Sequence, residues 1–133
     1  MQTPWISNYP PGVPAQADVN AYQNLAEVLE AAFQRHPRRD ALDCMDSRVS
    51  YGQLEELSAA LGAWLQSLGL KPGDRVALMM PNVPQYLVAL AALSRLGAVG
   101  TGVSPLLAPG EIAFQLKDAG VTRVGNKVTI KMI

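Results

Sequence analysis

Binding a phosphate takes backbone N–H groups that converge on the anion, with a cation beside them. Three segments have residue types that bear on that chemistry. Gly97-Ala98-Val99-Gly100-Thr101-Gly102 has the glycine density of a phosphate loop. Its flanks predict that it crosses the start of a strand, so its amides belong to a sheet, and no lysine accompanies it. Leu70-Lys71-Pro72-Gly73-Asp74 leads into a strand and is explained by a tight turn, with Pro72 fixing φ and Gly73 accepting φ > 0. Pro81-Asn82-Val83 stands between a strand and a helix, where parallel sheets bind ligands. It lacks the glycines that would let backbone approach a pyrophosphate. Asn82 with Gln85 three positions on reads more simply as a helix cap.

Other chemistries find fewer candidates. One histidine and one cysteine do not make a metal site of the usual kind. His36 sits at the end of a helical segment, beside Pro37, as a cation complementing the helix C-terminus. Cys44 falls in a strand-like segment and reads as a buried structural thiol, with no second cysteine for an intramolecular disulfide. Ser50, Ser58 and Ser94 have no identifiable partner base. Glu55-Glu56 reads as a solvated helix face and Met79-Met80 as core. The expectation is therefore no catalytic, cofactor-binding or metal-binding residue in these 133 positions.

The elements that would position such residues follow from the pattern. The chain is long enough for one domain. It is 49% hydrophobic and 17% charged, below the usual charged share of about 25%. This suggests elements buried on both faces, or a surface that rests against further protein. Eleven basic residues balance eleven acidic ones, which predicts no nucleic-acid partner and no basic cluster for a membrane surface. The start lacks a basic segment followed by an apolar run, so no signal peptide is expected there. The longest apolar stretch, Tyr86 to Leu93, is far short of the ~20 residues that span a bilayer. A soluble cytoplasmic protein is the expectation.

Residues 1–20 carry Pro4, Pro10, Pro11 and Pro14 with Trp5 and Tyr9. They read as an extended arm, either lying on an apolar surface or frayed. A helix is expected from Leu25 to about His36, capped by Asn24, with Leu25, Val28, Leu29, Ala32 and Phe33 on one stripe. A hairpin follows, with Ala41–Met45 returning through Arg48-Val49 about a turn at Asp46-Ser47. Ser50 and Gln53 form a capping box for a long helix whose inward face is read as Leu54, Leu57, Leu61, Trp64, Leu65 and Leu68. Gly69 ends it. From Arg75 the order is strand (to Met80), helix (to about Leu96), strand (Val99 to Val103), helix (Pro109 to Gly120), strand. The fold class is α/β: a partial parallel, doubly wound sheet with flanking helices. A free-standing Rossmann-type nucleotide-binding protein would need glycines where Pro81-Asn82 stands.

The run from Val49 to Gly120 resembles the beginning of the large domain of adenylate-forming acyl-CoA synthetases. Tyr51 with Leu54, Gly73-Asp74-Arg75-Val76-Ala77 before Pro81-Asn82, and Leu96-Gly97-Ala98-Val99 before Pro105 and Glu111 carry the resemblance by their order and spacing. Before it, Trp5 to Pro37 is similar to the opening of bacterial long-chain fatty-acid-CoA ligases. There are departures. Ser104 stands where the family favours Asn, Leu107 where it favours an aromatic, and Ala108 where a Thr or Ser would cap the next helix. Past Gly120 the likeness stops. Residues 121–133 read as a frameshifted or vector-derived end, or as a real strand of a diverged sequence with a hairpin turn at Gly125-Asn126.

The resemblance implies residues 21–120 as a truncated N-terminal part of an adenylation domain. The whole enzyme would join a fatty acid to ATP with Mg²⁺, giving acyl-adenylate and pyrophosphate, and then pass the acyl group to CoA. The family's Ser/Thr/Gly-rich loop ending in lysine, its aromatic-Gly-x-Thr-Glu segment, its ribose-binding Asp and its C-terminal lysine have no counterpart in this sequence. An inactive fragment is the expectation, and the alternative is a non-catalytic association module. A sheet cut after a few strands leaves an open edge, so a homo-oligomer through that edge or the N-terminal arm is expected.

Overall fold

Asn24 turns the chain into its first helix. Its backbone is extended (φ −160°, ψ 171°), and its Oδ1 accepts the Glu27 N–H at 3.0 Å. The Gln23 N–H donates to Glu27 Oε2 at 2.6 Å. Helix α1, Leu25–Arg35, buries Phe33 and ends on His36, whose N–H reaches Ala32 O. The computed structural model describes residues 4–121. Ahead of α1, Pro4–Asn8 forms a 3₁₀ turn, not extended backbone. Proline needs no N–H partner in a first turn, and Ser7 Oγ donates to Pro4 O at 2.9 Å. Trp5 and Tyr9 remain largely exposed.

Strands β1, Asp40–Cys44, and β2, Ser47–Ser50, pair antiparallel with Cys44 opposite Ser47. The turn is therefore Met45-Asp46, one residue earlier than the sequence suggests. Closing a two-residue loop needs a left-handed position. Met45 takes it at φ 48°, leaving its side chain 90% exposed. Ser50 then opens α2, Tyr51–Ser67, and the capping box forms in both directions: Gln53 N–H to Ser50 Oγ at 3.2 Å and Ser50 N–H to Gln53 Oε1 at 2.9 Å. Gly69 follows at φ 83°.

Strand β3, Arg75–Met79, helix α3, Pro84–Arg95, and strand β4, Val99–Val103, make a parallel unit in which Arg75 is opposite Val99 and Met79 opposite Val103. Helix α4, Pro109–Asp118, follows with Pro109 in its first turn. The expected strand after α4 and the Gly125-Asn126 turn lie outside the described residues. Half of a capping box starts α4: the Ala108 N–H donates to Glu111 Oε2 at 2.9 Å, while Ala108 has no oxygen to return the bond.

The core lies where α2 and α3 cover the β3–β4 pair. It consists of Leu65, Val76, Leu78, Ala89 and Leu93, ringed by Leu61, Leu70, Tyr86, Leu96 and Ala98. Ala89, Ala91 and Ala92 are buried; their small side chains let the helices approach closely. The buried face of α2 is Leu54, Ser58, Gly62 and Leu65. Leu57, Trp64 and Leu68, expected inside, are half exposed. They sit beside the buried stripe on a helix with more apolar positions than one face can cover. Among the described residues no helix is long and apolar enough to cross a membrane.

Candidate functional site

Parallel strands bring their C-terminal ends to one side, and the turn after each strand leaves a crevice there. A cavity of about 600 Å³ opens at the ends of β3 and β4, lined by Met80, Asn82, Tyr86, Gly102, Ser104 and Leu106 among others. Glycine at 102 is what lets the Tyr86 phenol lie against the strand: a Cβ there would stand 2.8 Å from the hydroxyl oxygen. Ser104 Oγ accepts the Leu106 N–H at 3.3 Å and shapes the loop beyond β4. A second cavity, of about 520 Å³, shares Asn82 and Tyr86 and reaches the hairpin at Leu42 and Cys44. Cys44 is half-buried on its rim, not buried as its strand setting suggests.

The donor set at the strand ends is neutral: a phenol, an amide and a hydroxyl. None of the described side chains lining the larger cavity is charged. Such a set can orient a polar group by hydrogen bonds, but it supplies no positive charge to a phosphate. ATP and Mg²⁺ therefore do not fit the residues present here, and no step of adenylation is derived through them. Among the described residues no cluster of histidine, cysteine and carboxylates could hold a metal ion.

In each of the three glycine- or turn-rich segments, amides are engaged within the fold. Gly97 N–H donates to Ser94 O at 3.1 Å, Ala98 N–H to Leu93 O at 3.0 Å and Val99 N–H to Asp74 O at 2.8 Å. Residues 99–102 then run within β4. In the turn, Gly73 N–H donates to Gly97 O at 2.8 Å, and Lys71 N–H donates to Asp74 Oδ2 at 2.9 Å. Gly73 takes φ 84°, as its place in the turn requires. After β3, Val83 N–H donates to Pro81 O at 2.9 Å. Asn82 is not the cap of α3: Val83 holds that position without a side-chain bond, because Pro84 occupies the first turn and moves the helix start along by one. Asn82 faces both cavities instead.

Ser58 and Glu55 are structural partners of one cation. Arg95, 19% exposed, donates from Nε to Glu30 Oε1 at 2.5 Å and from Nη1 to Glu55 O at 3.1 Å and Ser58 Oγ at 3.2 Å. Its Nη2 is 3.6 Å from Glu55 Oε1, and its guanidinium lies 5.2 Å over the Phe33 ring. Glu55 thus pairs with Arg95 while still 43% exposed, Glu56 is exposed, and Ser58 is fully buried with its hydroxyl donating to Glu55 O at 2.9 Å. Ser94 donates to Leu90 O within its own helix. The reading of the sequence did not bring Tyr86, Gly102 and Ser104 together; their common place at the ends of adjacent parallel strands was the signal available.

Comparison with known proteins supplies what the geometry leaves open. The family described as AMP-binding enzyme matches residues 29–128, running past Gly120, where the likeness drawn from the sequence ends. A long-chain-fatty-acid–CoA ligase of Salmonella typhimurium is 43% identical over 125 residues, covering 93% of this chain and 22% of that protein. The N-terminal subdomain of Klebsiella oxytoca NpsA, solved in complex with 3-hydroxyanthranilyl-AMSN, has a TM-score of 0.75 at 27% identity over 83% of this chain and 30% of that one. A Mycobacterium tuberculosis fatty acyl CoA synthetase has a TM-score of 0.68 at 33% identity, over 73% of this chain and 20% of that one. The chain spans about a fifth of the length of such curated relatives.

Proposed function

The chain belongs to the AMP-binding enzyme family, and from that premise we propose that it supplies the opening part of the adenylation domain of a cytoplasmic long-chain fatty-acid–CoA ligase. The observation that carries this reading is the 43% identity to the Salmonella ligase, sustained over 93% of the chain. The whole enzyme would use ATP, Mg²⁺ and CoA to make acyl-adenylate and then acyl-CoA. The part played by these residues is scaffold. The β3–α3–β4 unit sets the rim of a cleft, and Tyr86, Asn82 and Ser104 offer it neutral hydrogen-bonding groups. The cations and anion-cradling loop for adenylation would come from other parts of the ligase. By itself the chain is proposed to be inactive.

A chimera tests this reading. The segment of the Salmonella ligase matched by this chain is replaced with the present sequence, and palmitoyl-CoA formation from palmitate, ATP and CoA is measured. Activity comparable to the parent ligase is expected. A soluble, folded chimera without activity would overturn the assignment.

A second reading, a non-catalytic module acting by self-association, has one observation in its favour. Among the described residues β3 and β4 each have a single strand neighbour, so the sheet offers edges to a second copy.

A further inference from the structure

The overall charge balance conceals a local excess. Arg35, His36, Arg38 and Arg39 fall within five positions, and the fold gathers three of them around one cavity. This cavity, of about 710 Å³, is lined by His36, Arg38, Arg39, Asp40 and Tyr51. It lies between the end of α1 and the start of α2, away from the strand ends. The sequence reading expected no basic cluster for a membrane surface; the fold sets His36, Arg38 and Arg39 around one cavity.

Several features make this a built site as well as a charged surface. The loop carrying the arginines is fixed to the start of α2 by two backbone bonds, Tyr51 N–H to Arg39 O at 3.0 Å and Gly52 N–H to Pro37 O at 2.9 Å, and Arg39 N–H closes back on His36 O at 3.0 Å. A Cβ at Gly52 would stand 3.0 Å from Pro37 O, so glycine permits this close approach. The Tyr51 ring stands 6.4 Å from that of His36. The one carboxylate on the rim, Asp40, is paired with Arg48 at 3.3 Å. Among the described residues Arg38 and Arg39 form no ion pair with a carboxylate. The first amides of α2 are spent on the loop and the capping box, so recognition falls to the side chains. The positive end of this 17-residue helix adds its field. Arg35, in the last turn of α1, offsets the opposite field of that helix.

We propose that this cavity binds a phosphoryl group. Two guanidinium forks and an imidazole offer more donors than the two oxygens of a carboxylate can use, whereas a phosphate monoester presents three terminal oxygens suited to bidentate arginine. The group can be soluble or carried by a lipid, and the experiment separates the two. The 133-residue chain is titrated with inorganic pyrophosphate, followed by calorimetry and by amide NMR shifts. In parallel it is sedimented with phosphatidylcholine vesicles with and without phosphatidic acid. Pyrophosphate binding that shifts residues 36–39 and Tyr51 assigns a soluble ligand. Binding only to phosphatidic-acid vesicles assigns a lipid headgroup.

In either arm R38Q/R39Q weakens binding roughly tenfold or more, while K71Q/K117Q, which removes the same charge elsewhere, leaves it unchanged. Should R38Q/R39Q fail to fold, R38K/R39K keeps the charge, loses the planar fork and still weakens binding. The proposal is overturned if neither probe binds the unmodified chain, or if binding is insensitive to the arginine variants. Equal weakening by K71Q/K117Q would also overturn it.

Discussion

Arg95 shows how one side chain can hold three helices in register. It reaches Glu30 on α1, Glu55 and Ser58 on α2, and covers Phe33, from a seat at the end of α3. Replacing it with methionine keeps most of the volume but removes every donor. Glu30 and Glu55 are 38% and 43% exposed, so water re-solvates them in part and the loss is smaller than for a sealed ion pair. Arg95→Met is expected to cost about 1–2 kcal/mol, mainly from the charge-assisted bonds to the Glu55 carbonyl and the buried Ser58 hydroxyl. Urea unfolding of the variant measures it. A loss below a few tenths of a kcal/mol would mean that the clamp contributes nothing net.

Among the elements, α2 gives the sharpest test of which face is inside. Leu65 is fully buried and adjacent Trp64 is 50% exposed. Leu65→Ala is expected to cost about 2–5 kcal/mol by opening a core cavity, and Trp64→Ala less than about 1 kcal/mol. The reverse order in chemical denaturation would put the wrong stripe against α3. Much at this scale was legible in the sequence because it is local. Asn24, Ser50 with Gln53, Gly69, Gly73 and Pro109 each act within a few residues, and β4 runs from Val99 to Val103 as its pattern indicates. What escaped depends on distant partners or on competition between neighbours. The Arg95–Glu30 bond joins residues 65 positions apart. Pro84 takes the first turn of α3 and displaces Asn82 from the cap. Met45 accepts a left-handed turn because the Cys44–Ser47 pairing leaves two residues to close it. The cavity at the ends of β3 and β4 could be anticipated as a location from strand order, but its lining of Tyr86, Gly102 and Ser104 emerges only when β4 is laid beside β3.

At the scale of the whole molecule, the middle of β3 is buried through three consecutive residues, Val76, Ala77 and Leu78, while large apolar side chains stay in water: Trp64, Leu68, Leu106 at 94% exposure and Phe114 at 72%. An amphipathic helix with no buried residue, as α4 is, gains little from packing. Self-association in solution is the expected consequence, as a dimer or larger species in analytical ultracentrifugation. A clean monomer at high concentration would contradict it. The central claim is that this family member carries scaffold and not adenylation chemistry. Its most direct test is pyrophosphate release by the purified, folded chain given ATP, Mg²⁺ and palmitate. Release no faster than in a blank without protein is the predicted result; sustained release that depends on both palmitate and the chain would contradict the account.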